Sequence, residues 1–236
     1  MKNNPVLLSL VLWMLGGLSL FPESNAQAPS LYLGVDARSW CTVKLGIEYP
    51  IQDEKAKLHF DASVPVLQWG SGSGFDSFQL RFGVVGIVKP VSDMPVCLVY
   101  EGLLSSTVQS QVLGSFAGFG TVVSLKPLGT FGGFSIGPVF TWNKVWLTRL
   151  SLSQEVKNAF DDSSPSFKPA HGWYAWGASE ILLGLGASLS FDKKRDNRIF
   201  LELGPRFTWK SLAGLTEGFP LGEWPFWLEF GWKKSF

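Results

Sequence analysis

Two histidines, two cysteines and one Gly/Ser-rich stretch are the residues whose types could carry chemistry in this chain. His59 and Asp61 lie two positions apart, which puts an imidazole and a carboxylate on one face of an extended strand. Such a pair serves as a general acid–base when a reacting group is near, and is an ordinary internal hydrogen bond when none is. His171 shares a polar stretch with Asp161 and Asp162. The run GSGSG at Gly70–Gly74 places Gly72 where a nucleophile elbow needs serine, so it reads as a flexible turn. After the first 26 residues the chain has no H-E-x-x-H, C-x-x-C or G-x-G-x-x-G. No catalytic, cofactor-binding or metal-ligating residue is therefore expected, and the chain does not read as an enzyme.

What would hold these residues is a set of strands. The 236-residue chain carries 46% hydrophobic and 17% charged residues with a formal charge of +1. That is too few charges for disorder and too balanced a sign for an electrostatic nucleic-acid binder. Residues 1–26 have a cation at Lys2, an apolar stretch from Val6 to Phe21 and small residues at Ser24 and Ala26, the pattern of a secretory signal peptide. Residues 27–236 are expected to form one domain.

Alternation dominates that domain. From Leu31 to Tyr49 the odd positions are mostly apolar and the even ones include Asp36, Arg38, Lys44 and Glu48, which predicts one long strand, because a two-residue hairpin would flip the parity. Further strands are expected at about 57–68, 77–88, 95–104, 112–125, 131–142, 145–153, 173–191, 198–210 and 225–236, ten in all. The stretches WGSGSGFD, KPVSDMP, KPLGT, WNK and DKKRDN read as the turns between them. Around Asn143 a three-residue loop would put Arg149 on the polar face and a two-residue loop would not. The strands are long enough to cross a bilayer at a tilt, which takes roughly 9–11 residues. Trp69, Trp142 and Trp146 at one set of turns, with Trp173, Trp176, Trp209 and Trp224 at the other, would make two interfacial girdles.

The last strand sharpens the pattern. Leu228, Phe230, Trp232 and Phe236 share one parity, broken only by Lys234, and Glu229, Lys233 and Ser235 lie on the other. With the signal peptide and the alternating strands, this terminus resembles the bacterial outer-membrane β-barrel superfamily. The resemblance implies an all-β fold, a single antiparallel up-and-down transmembrane barrel of about ten strands, with eight and twelve the neighbouring counts. It also implies a Gram-negative-type envelope, export through the inner membrane and residence in the outer membrane. Leu228, Phe230, Trp232 and Phe236 would be the signal read by the barrel assembly machinery.

In that frame the apolar faces meet outer-membrane lipid. The charges Asp36, Arg38, Lys44, Glu48, Asp61, Arg81, Glu101, Glu180, Glu202, Arg206 and Glu229, with Lys233, fall in the lumen. Their mixed signs favour a network of ion pairs filling a narrow interior over a conducting pore. Eight glycines, among them Gly34, Gly46, Gly186 and Gly204, fall mostly inward too, where they leave room for water or a solute, or relieve a curved wall. Cys41 and Cys97 are expected to stay free thiols, since their parities point them through opposite faces.

An even strand count sends the odd-numbered connections to the outside, where residues 154–172 and 211–224 are the longest and could take a small solute or surface ligand. The expected function is that of a small outer-membrane barrel, a narrow channel or a structural and surface-interaction protein. A soluble periplasmic barrel holding an apolar ligand would show the same alternation. His171 with Asp161 and Asp162 in the longest connection also resembles the rim carboxylates and histidine of the omptin proteases, which would make the chain an outer-membrane rim enzyme.

Overall fold

The computed structural model describes residues 29–37, 40–52, 55–68, 77–89, 95–111, 114–154, 158, 172–175, 179–191, 197–209 and 225–236. The signal peptide, Arg38, the Gly70–Gly74 turn, His171, Asp161, Asp162, Trp69, Trp176 and Trp224 lie outside them.

The strands are β1 (Ser30–Ala37), β2 (Trp40–Gln52), β3 (Ala56–Gln68), β4 (Ser77–Val88), β5 (Val96–Gln111), β6 (Gly114–Phe131), β7 (Phe134–Leu152), β8 (Gly172–Ala175), β9 (Ser179–Ser190), β10 (Asn197–Trp209) and β11 (Phe226–Ser235). Each pairs antiparallel with its sequence neighbours except that β8 and β9 both pair with β7, at Leu147–Leu150 and at Phe134–Lys144. They form one interrupted stave, so the wall has ten. Pairing of β1 with β11, from Ser30↔Ser235 to Ala37↔Leu228, closes the barrel and removes any open edge.

Several expected boundaries are corrected. Residues 31–49 are two strands, not one. Leu33 faces Leu45 and Ala37 faces Cys41, so partners share parity and the alternation passes through the reversal unchanged. A connection that leaves an odd number of positions between paired partners is invisible to a period-two pattern. WNK is not a turn: β7 runs through Asn143, merging the expected 131–142 and 145–153 strands. Asn143 is buried opposite Glu180 of β9 and donates to its carboxylate at 2.5 Å, a partner that only the folded sheet supplies. KPLGT is not a turn either, since it lies within β6, and β5 runs on to Gln111. The reversal between β6 and β7 is Gly132–Gly133, where Gly132 takes φ +64°, a conformation glycine adopts without steric cost.

Near Asn143 the parity question has a third answer. Phe119 faces Leu147 while Gly120 faces Val145, so Trp146 is an extra residue in a β-bulge. The bulge keeps Val145 and Thr148 buried inside and leaves Arg149 exposed, 5.7 Å over the Trp173 ring.

The expected tryptophan girdles are corrected as well. Trp142 and Trp146 sit within β7, and Trp173 and Trp209 mark the same end of the barrel. The opposite end, where β1 starts and β11 stops, is rimmed instead by exposed Phe131, Phe134, Phe191 and Phe236. The strand ends that border residues 153–171 and 210–225, Leu152 with Gly172 and Trp209 with Phe226, are at the Trp173 and Trp209 end.

Side chains obey the alternation throughout. Outward positions hold exposed Leu104, Phe140, Leu185, Leu203 and Phe230, whereas buried positions hold Asp36, Lys44, Glu48, Asp61, Glu180 and Arg206. Cys41 and Cys97 are free, as expected.

Candidate functional site

The interior is the candidate site, and register builds most of it. Asp61 of β3 stands directly opposite Arg81 of β4, and Arg81 donates from Nε to both its oxygens, at 2.9 and 3.0 Å. Asp61 also meets His59 Nε2 at 2.6 Å, so the histidine that suggested acid–base chemistry spends one nitrogen on an internal contact. Its Nδ1 lies 3.6 Å from Glu48, directly opposite on β2.

A second group spans the lumen. Glu202 of β10 and Glu229 of β11 face each other, an unfavourable pairing of like charges on its own. Each is held by a different lysine. Lys126 reaches from β6 to Glu202 at 2.8 Å and Glu101 at 3.1 Å. Lys44 reaches from β2 to Glu229 at 2.7 Å and Asp36 at 2.9 Å, past Gly34 of β1, which presents no side chain. Tyr32 adds a hydroxyl donated to Glu229 at 2.5 Å. Near the long-connection end, fully buried Glu180 accepts from Arg206 Nε at 2.6 Å.

The inward glycines make room for rings rather than for solute at two places: a Cβ on Gly34 would run into the Tyr32 ring, and one on Gly231 into Phe200. Those two rings stack 5.6 Å apart. Beside them Val139, Leu182 and Trp227 form an apolar cluster, with Trp227 Nε1 donating to the Leu183 carbonyl at 3.1 Å.

No protein-family model matches the chain, and no curated protein matches it in sequence.

Two cavities flank this layer. The larger, about 170 Å³, lies toward the Ser30 and Ser235 end, where Glu48, Arg198 and Lys233 line it, and the smaller, about 60 Å³, lies toward the other end beside Asp36 and Lys44. Arg81, Val122 and Asn143 border both. Chemically the arrangement offers two spaces of a size for small polar or amphiphilic molecules.

Every charge expected in the lumen other than Arg38 is on the inner wall. Sequence reasoning missed Lys126, Tyr32 and Asn143. Lys126 was hidden by turn-like neighbours, although the even-numbered series Gly118, Gly120, Ser124, Lys126 against Phe119, Val123, Leu125 runs straight through it. On β11, Leu228 and Phe230 are exposed on the outer wall, and Phe236 N–H donates to the Pro29 carbonyl at 3.2 Å.

Proposed function

We propose that the protein is a small, non-enzymatic outer-membrane β-barrel with a closed interior, exported through the inner membrane and folded by the barrel assembly machinery. Its role is structural and surface-interacting, with the connections 154–172 and 211–224 on the outer side as the ligand-facing parts. One observation carries the reading: the wall is inside out. Apolar side chains such as Leu185 (61% exposed) and Leu203 (47%) project outward, while Asp61 and Glu180 (0%) are sealed within. A soluble barrel holding an apolar ligand needs the reverse, because exposed contiguous apolar surface has no counterpart in water, whereas lipid accepts it.

A narrow channel is the second reading, favoured by the three residues common to both cavities. A small side-chain movement there would join them.

The membrane reading is tested by fractionation with a face-specific pair of variants. Leu203→Arg is expected to cost roughly 2–4 kcal/mol of stability in lipid, and Thr208→Arg much less. Recovery of the wild type in the soluble periplasmic fraction, or equal tolerance of the two substitutions, would sink it.

A further inference from the structure

We propose that the larger cavity binds a small organic monoanion, a compact apolar or aromatic body carrying one carboxylate, entering from the barrel end where Ser30 and Ser235 lie. The inference concerns the barrel interior alone and stands whether or not the outer wall faces lipid.

Size comes first. An engineered apolar cavity of about 150 Å³ accepts a benzene ring, so about 170 Å³ suits a body of that class. The walls match it: Val99, Leu128 and Phe200 line the space.

Charge sets the sign. Toward the Ser30 and Ser235 end Lys233 and Arg198 line the cavity against one carboxylate, Glu48, which Lys233 contacts directly and which Lys57, outside the lining, approaches at 3.9 Å. Arg198 faces Lys233 across the β10–β11 ladder and Ser190 across the β9 ladder. It donates from Nε to Ser190 Oγ at 3.4 Å and has no carboxylate partner among the described residues. A guanidinium bordering a cavity with one long hydrogen bond retains donors in the planar fork that suits a carboxylate. The deeper carboxylates are already taken: Glu202 and Glu101 by Lys126, Glu229 by Lys44 and Tyr32. An incoming ammonium therefore has to compete with a lysine already in place at each of these acids, whereas an incoming carboxylate finds the Arg198 fork with donors to spare.

The test is a fluorine NMR titration of the folded full chain with 4-fluorobenzoate, with 4-fluorobenzylamine as the cationic counterpart and protein-free micelles subtracted. Saturable one-site binding of the benzoate is expected, with the amine at least ten-fold weaker. Arg198→Gln should weaken benzoate about ten- to a hundred-fold, the loss expected for a hydrogen bond to a charged group. Arg198→Lys should fall between. Val99→Phe should displace the ligand by filling its space. Absence of saturable binding, equal binding of the amine, or an unchanged Arg198→Gln affinity overturns the proposal. If a variant fails to fold, by its circular dichroism, the carboxylate-against-amine comparison on the wild type decides.

Discussion

Asp61 is fully buried and shared between Arg81 and His59, so its contribution is best seen by what its loss would strand. Removing one partner of a buried ion pair leaves the other charged and unsolvated, which costs about 3–5 kcal/mol, while replacing both by apolar residues of similar volume is often neutral. Asp61→Ala is therefore expected to lower stability by about 3–5 kcal/mol in urea unfolding, and Asp61→Leu with Arg81→Met should recover most of it. Equal losses in the single and double variants would show that a stranded Arg81 is not the source of the cost. The same residue scale separates what was readable beforehand. His59 beside Asp61 was legible because spacing two defines a face. Lys126 to Glu202 was not, because nothing local says that β6 and β10 face one another across the lumen.

At the scale of elements, β11 joins the two ends of the sheet. It pairs with β10 along one edge and with β1 along the other, and Phe236 continues that tie through its N–H to Pro29. Without this closure β1 and β10 would present unpaired N–H and C=O groups, each costing several kcal/mol in hydrocarbon. On the proposed outer-membrane reading, deleting Phe236, or changing it to Ser, is expected to lower the amount of folded barrel in the outer membrane while export through the inner membrane continues. Lys234→Tyr, which extends the aromatic parity at the cost of the 5.0 Å contact between Lys234 and the Phe236 ring, serves as a control expected to accumulate normally. Unchanged abundance of the Phe236 deletion would remove the assembly role. β7 carries the contrasting lesson: Trp142-Asn143-Lys144 has turn chemistry, yet sheet pairing on both sides holds it extended. Propensity is a weak prior where tertiary pairing supplies partners.

For the whole molecule, the decisive feature is the layer between the two cavities. Lys126 links β6 to β10 across the interior, Lys44 links β2 to β11 past β1, and Arg81, Val122 and Asn143 stand where the cavities adjoin. In planar bilayers the wild type is expected to give no resolvable current steps, and the charge-balanced double variant Arg81→Ala with Asp61→Ala is expected to give them. Stable steps from the wild type would favour the channel reading instead. The sequence by itself determined the all-β class and which residues face which side, because alternation with period two is a local property of an extended chain. It reached the count of ten through two offsetting misreadings, an unseen reversal between Ala37 and Trp40 and a false one at Asn143. Only the tertiary structure decided the closure, the Trp146 bulge, the lysine bridges and the cavities. Those depend on register between strands far apart in sequence and on the radius at which the wall closes, and a local pattern specifies neither.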